Sequence, residues 1–271
     1  MRVSFLGGGN MAAALIGGMV KRGFSAAAIQ VVELVPEARA RLTAQFGVRC
    51  AAVADDSALA CDVLVLSVKP QQLREALLPL AGRLERQLVV SIAAGVRVAD
   101  IARWLGGYRH IVRAMPNMPA LVGAGVAGLC ADLSVGREER EIADSVLAAV
   151  GDTVWIDDES QMDAVTAISG SGPAYVFYFI EALQAAGEGM GFAPDAARKL
   201  AIETFSGAAK LAKQSAESPA VLRGRVTSKG GTTEAALNSL DADQVAAAVS
   251  RAVAAAFERG KVLGDELGAG G

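Results

Sequence analysis

Arg2-Val3-Ser4-Phe5-Leu6-Gly7-Gly8-Gly9-Asn10-Met11-Ala12-Ala13-Ala14-Leu15-Ile16-Gly17-Gly18-Met19-Val20 opens the chain and decides how the rest is read. Residues 2–6 form a short apolar run with β-formers at its centre. Three glycines follow at once, and then a helical pattern that is apolar on most of its surface. Strand, glycine turn and helix in this order match the G-x-G-x-x-A form of a dinucleotide-binding fingerprint. Gly7 permits the tight turn, Gly9 lets the backbone approach a pyrophosphate, and Ala12 is small enough for close packing of helix on strand. The pyrophosphate is expected on the helix N-terminus, where free N–H groups and the dipole favour an anion. The next apolar run, Ile29–Val32, ends at Glu33, roughly 20 residues further on, where such a site meets the adenosine ribose. Leu34 and Val35 follow it, and Arg39 and Arg41 lie in the next helical pattern, within reach of a 2′-phosphate.

Beyond the fingerprint the alternation continues. Val63–Val68 is a continuous apolar run, as expected of a strand buried on both faces of a parallel sheet. Leu88–Ile92, Ile111–Ala114, Gly125–Leu129 and Thr153–Ile156 read as further strands. Helical patterns near 36–46, 70–81, 98–105 and 136–149 separate them. Strand–helix alternation at this spacing predicts an α/β domain built on a doubly wound, Rossmann-type sheet. After Asp157-Asp158 no convincing strand signal remains. Residues 163–168, 173–189, 194–214, 234–240 and 244–267 read as helices, with Pro173 and Pro194 suited to first turns. The chain is therefore expected to comprise a dinucleotide-binding domain at 1–158 and an all-helical domain at 159–271. The stretch Ala174–Ile180 is apolar nearly all round and needs cover on every side, so a partner subunit is expected to supply some of it.

The 271 residues carry a net charge of −3 and are 52% apolar, much of that alanine and valine. With no basic run, neither nucleic acid nor an anionic membrane surface is an expected partner. No uninterrupted apolar stretch reaches ~18 residues, and no signal-peptide pattern precedes the first strand, so a soluble cytoplasmic protein is expected. Cys50, Cys61 and Cys130 read as small hydrophobes in a reducing compartment. The lone His110 reads as a structural strand-end residue. No His/Cys/Asp cluster has metal-ligand spacing, and no metal is expected.

Several further stretches can carry chemistry. Ser67-Val68-Lys69-Pro70 ends a parallel strand at its carboxyl end, where such sheets bind ligands. Ser91–Gly95 is a run of small residues at the end of the next strand, against which a flat ring can lie. In Arg113-Ala114-Met115-Pro116-Asn117-Met118-Pro119, Asn117 can both donate to and accept from a carboxamide, and it suits a turn equally well. In Val226–Thr233, two glycines and four hydroxyl residues precede a helix. That is more than one cap requires, and it suits an anion such as a substrate carboxylate.

Together these stretches resemble pyrroline-5-carboxylate reductase. The resemblance rests on Leu6–Ala12, Ser67–Pro70, Ser91–Gly95, Arg113–Pro119, Ile168–Tyr175 and Val226–Thr233, which run over nearly the whole chain. Two positions depart from the family pattern: Lys229 stands where proline is usual, and Met118 where threonine is usual. The resemblance implies a Rossmann domain followed by a helical dimerisation domain, homodimers of interlocked C-terminal helices, and decamers built from them. It implies reduction of the cyclic imine 1-pyrroline-5-carboxylate to L-proline with NADPH or NADH. It assigns the substrate carboxylate to Ser228, Gly230, Gly231 and Thr232, and the ring nitrogen to the hydroxyl of Thr233. It assigns the cofactor to Leu6, Gly7, Gly8, Gly9, Asn10, Met11, Ser67, Val68, Lys69, Pro70, Ala93 and Asn117, which join Glu33. Two other readings compete. A reductase of the β-hydroxyacid dehydrogenase type needs a lysine base soon after Gly170-Ser171-Gly172, where Pro173, Ala174, Tyr175 and Val176 stand instead. A non-catalytic nucleotide sensor has no use for the Ser228–Thr233 loop.

Overall fold

The computed structural model describes residues 1–269. Backbone packing divides them into two compact units, residues 1–171 with 256–269, and residues 172–255. Residues 159–171 and the last turns of the final helix fall in the first of these units.

The first unit is built on one eight-stranded sheet. Strands β1 (Val3–Leu6), β2 (Ile29–Val32), β3 (Arg49–Ala51), β4 (Val63–Leu66), β5 (Leu88–Ser91), β6 (Ile111–Met115), β7 (Gly125–Ala131) and β8 (Gly151–Trp155) stand in the order β3-β2-β1-β4-β5-β6-β7-β8. The first six run parallel; β7 is antiparallel to β6, and β8 is parallel to β7. The reversal follows from chain length. Residues 116–124 are too few for a crossover back to the same sheet end, so β7 must return alongside β6. Between β7 and β8 the helix α6 (Arg137–Leu147) provides a crossover, and those strands are parallel again.

The continuous apolar runs are explained by cover on both faces. Phe5, Val31, Val63, Val65 and Val90 point into one core with Leu15, Ile16 and Met19 of helix α1 (Asn10–Lys21) and Leu42 of α2 (Pro36–Phe46). Their neighbours Leu6, Val32, Leu64, Leu66 and Val89 point into the other. That core is completed by Leu73 and Leu77 of α4 (Pro70–Leu77) and Ile101 of α5 (Val98–Trp104). Strand β3 and helix α3 (Asp56–Leu59) have no counterpart in the sequence reading. Arg49-Cys50-Ala51 is too short and too polar to signal a strand, and only its pairing with β2 makes it one. Cys61 and Cys130 are buried and all three thiols are free. Burial pushes the Cys61 and Cys130 thiols above the usual cysteine range. His110 sits just before β6, its Nδ1 2.8 Å from Glu139 Oε1.

After β8, helix α7 (Met162–Val165) runs into a π-type turn at Thr166–Gly170, closed by the Ser171 N–H on Thr166 O at 2.8 Å. The second unit comprises α8 (Gly172–Gly189), α9 (Pro194–Gln214), α10 (Pro219–Arg225), α11 (Thr232–Ala242) and the first part of α12 (Val245–Ala269). Helix α10, capped by the Ser218 hydroxyl on Val221 N–H with Pro219 next, is also absent from the sequence reading. Helices α8 and α9 pack closely at Gly187, where an added Cβ would lie 3.1 Å from the Cβ of Ala197. Apart from Ala197 and Ala201, no apolar residue of this unit is buried. Tyr178 is 70% exposed and Phe177 56%.

Candidate functional site

The parallel strands end on one side of the sheet, and β1 and β4 lie side by side where the strand order reverses, the position at which open α/β sheets bind ligands. A cleft of about 570 Å³ occupies it, lined by Leu6–Gly9, Val32–Leu34, Ala52–Ala54, Ser67–Lys69, and Gln72, Glu75, Ala76, Pro79 and Leu80. Its floor is the glycine turn. Gly7 has φ +103°, and its N–H donates to Val32 O at 2.8 Å. An added Cβ would lie 2.9 Å from the Ser67 carbonyl, so the position demands glycine on both counts. A Cβ on Gly9 would meet nothing within 4 Å, which leaves that side of the turn open. The first-turn N–H groups of Asn10 and Met11 take no acceptor among the described residues, as expected of a helix N-terminus.

Glu33 braces this turn. Its Oε2 accepts from Gly8 N–H at 2.8 Å and its Oε1 from Val35 N–H at 2.9 Å. The Arg39 guanidinium donates to the carbonyls of Glu33 and Leu34 at 2.7 and 2.8 Å. Arg41 lies elsewhere: two residues along a helix turn a side chain by roughly 200°, and Arg41 lines a second recess. The Ser67 hydroxyl donates to Gly7 O at 2.8 Å, tying the end of β4 to the glycine turn. Lys69 is exposed at the start of α4, with Pro70 in its first turn.

Leu6, Gly7, Gly8, Gly9, Glu33, Ser67, Val68 and Lys69 thus share one cleft. Met11 packs against the core beneath the turn, and Asn10 lines the second recess with Arg41. Ala93 is buried at the end of β5. Asn117 is buried too, and its amide is engaged. Oδ1 accepts from Val126 N–H at 3.0 Å, and Nδ2 donates to Ser169 O in the π-type turn at 3.1 Å. One amide hydrogen and one lone pair are left over for a carboxamide. The cleft residues Ala52–Ala54 went unread because they follow β3. Asp55, the N-cap residue that follows directly, was the available signal for a break there.

In the second unit, Ser228–Gly231 leads into α11. Gly230 has φ +72°. Its N–H is taken by Glu234 Oε2 at 2.7 Å, and that of Gly231 by Ser228 O at 3.0 Å. The N–H groups and hydroxyls of Thr232 and Thr233 carry no hydrogen bond among the described residues. The free anion-binding donors are therefore fewer than the sequence suggests, and they sit on the threonines.

Residues 159–263 match the profile of the family described as pyrroline-5-carboxylate reductase dimerisation, and residues 2–95 that described as NADP oxidoreductase, coenzyme F420-dependent. The pyrroline-5-carboxylate reductase of Pseudomonas aeruginosa is 45% identical over 268 residues, covering 98% of each chain. The solved structure of a pyrroline-5-carboxylate reductase from Coxiella burnetii matches with a TM-score of 0.93 at 38% identity, covering 97% of this chain and 98% of that one. A Plasmodium falciparum pyrroline carboxylate reductase, solved with NADP bound, matches with a TM-score of 0.85 at 28% identity, covering 97% and 98%. No helix among the described residues is long and apolar enough to cross a membrane.

Proposed function

This chain belongs to the pyrroline-5-carboxylate reductase family, and from that premise we propose how its residues reduce 1-pyrroline-5-carboxylate to L-proline with NAD(P)H, the last step of proline biosynthesis. Bound in the glycine cleft, the dinucleotide supplies the hydride. Leu6–Met11 cradle its pyrophosphate, with the open side of Gly9 and the free N–H groups of α1 as the supporting geometry. Glu33 meets the adenosine ribose. Ser67, Val68 and Lys69 line the route along the cleft, Pro70 opens the helix beside them, and Ala93 and Asn117 contribute at the nicotinamide end.

The substrate carboxylate is held at Ser228, Gly230, Gly231 and Thr232, with Thr232 supplying the free N–H and hydroxyl and the Gly230 N–H joining them where Glu234 yields it. The Thr233 hydroxyl orients the ring nitrogen and relays a proton to it. A cyclic imine can arrive already protonated, so positioning is the main task and no strong general acid is needed. The observation that carries this assignment is the start of α11, where two threonines present free N–H and hydroxyl groups behind a glycine pair. A β-hydroxyacid dehydrogenase would need the lysine base that is missing after Gly172. A nucleotide sensor would leave the threonines without a task.

Functionally, residues 1–158 act as the dinucleotide-binding domain and 159–271 as the substrate and dimerisation domain. The protein works in the cytoplasm as a homodimer through its helical region, and dimers assemble into decamers. The test is direct: purified protein is mixed with pyrroline-5-carboxylate and either NADPH or NADH. Oxidation of the cofactor with formation of proline is expected, and failure with both cofactors refutes the reading.

A further inference from the structure

A second recess, of about 830 Å³, runs beside α1. The helix is about 18 Å long at 12 residues. Two glycines in it explain the walls. A Cβ on Gly17 would sit 3.0 Å from the ring of Phe46, and one on Gly18 would sit 2.4 Å from Ala149 O. Their absence lets α2 and the turn at 148–150 close in along the helix. The glycines do not account for the charges. Lys21, Arg22 and Arg41 line the recess, no acidic residue does, and among the described residues none of their three side chains forms a hydrogen bond or ion pair.

Helix capping does not use these side chains either. The last carbonyls of α1 are already taken by backbone: Arg22 N–H on Gly18 O and Met19 O, Gly23 N–H on Val20 O, and Phe24 N–H on Met19 O. Three unopposed cations in one recess run against the net negative charge of the chain. Apart from Asn10 and Gln45, the remaining walls are apolar, from Ala13, Ala14 and Phe46 to Leu121, which is 50% exposed at the rim. A site of this size, apolar with a few convergent polar groups, is the usual form of a small-molecule pocket.

We propose that the recess along α1 is a binding site for an organic polyanion with an apolar body, of the nucleoside polyphosphate class, separate from the cofactor cleft. The phosphates meet Lys21, Arg22 and Arg41, and the body lies on Ala13, Ala14 and Phe46. Because α1 also begins at the glycine turn, an occupant of its flank touches the helix that carries the cofactor-binding N-terminus.

The experiment is a calorimetric titration of ATP into the full-length protein saturated with NADPH, which keeps ATP out of the cofactor cleft. Saturable binding that weakens with added salt is expected. The double variant Lys21→Ser/Arg41→Ser should raise its Kd by about tenfold or more, with the KM for NADPH unchanged within about twofold. Inorganic tripolyphosphate should bind more weakly than ATP. Several outcomes overturn the proposal. They are loss of ATP binding once NADPH is present, a Kd unmoved in the double variant, or tripolyphosphate binding as tightly as ATP, which would leave the apolar wall without a role. Absence of ATP binding together with a changed sedimentation coefficient in the variant would mean that a second copy covers the recess, and this also overturns it.

Discussion

Glu33 Oε2 accepts the backbone N–H of Gly8 at 2.8 Å, so the acidic residue that ends β2 also holds the shape of the glycine turn. Its charge therefore stands at the cleft with its geometry set by backbone rather than by a flexible rotamer. Glu33→Gln should raise the KM for both cofactors slightly, because an amide offers one acceptor oxygen where the carboxylate offers two. It should also improve NADPH relative to NADH several-fold, the worth of roughly 1 kcal/mol of relieved repulsion near a solvated surface. Steady-state kinetics with the two cofactors gives the ratio, and an unchanged ratio would mean that Glu33 does not face the ribose.

Thr233→Ala should lower turnover more than it weakens cofactor binding. The free Thr233 hydroxyl is the group proposed to orient the ring nitrogen. Losing one such hydrogen bond in a closed site costs on the order of 1–3 kcal/mol, or roughly tenfold to a hundredfold in rate. Catalytic efficiency equal to that of the parent would remove Thr233 from the mechanism.

Glu234 Oε2 sits on Gly230 N–H at 2.7 Å, a donor proposed for the substrate carboxylate. Two carboxylates sharing one cradle repel. Glu234→Gln should therefore lower the KM for pyrroline-5-carboxylate by a few-fold, with a smaller change in kcat, and the gain should shrink as salt is added. A raised KM would mean instead that Glu234 chiefly shapes the loop.

Arg113 is buried in the middle of β6, its Nη1 3.0 Å from Glu159 Oε1 and its Nη2 3.5 Å from Asp163 Oδ1. The same Glu159 oxygen accepts from Val98 N–H at 2.8 Å. Arg113→Met removes the cation that both carboxylates share and should destabilise the fold by about 3 kcal/mol. Urea unfolding should show a lower midpoint at unchanged slope; a midpoint within error of the parent would contradict the role given to this pair.

Helix α8 has no buried residue, although Tyr175–Ile180 is a run of aromatic and branched apolar side chains. Exposed apolar surface on this scale marks an interface. Sedimentation at micromolar concentration should show no monomer, and Phe177→Glu with Tyr178→Glu should produce monomers that have lost activity. A stable, active parental monomer would refute obligate dimerisation.

Much of the architecture was legible in local patterns. The glycine turn, the doubly apolar strands and the helix-start prolines each encode a structure within a few residues, because turn sterics, two-sided burial and a fixed φ act locally. Strand β3 was not legible: Arg49–Ala51 is a strand through its pairing with β2, and with it went the cleft wall at Ala52–Ala54. Apolar patterning alone does not show that β7 reverses direction; the short segment 116–124 between two legible strands does. At the site, the residue types announced anion-binding turns, but which donors remain free is a matter of who already holds them. Glu234 takes Gly230, Ser228 takes Gly231, Glu33 takes Gly8, and Asn117 spends its amide on Val126 and Ser169. By itself the sequence determined which groups this protein carries and in what local setting. The tertiary structure alone decided which of them are already satisfied, because a hydrogen bond between residues distant along the chain exists only once the fold has brought them together.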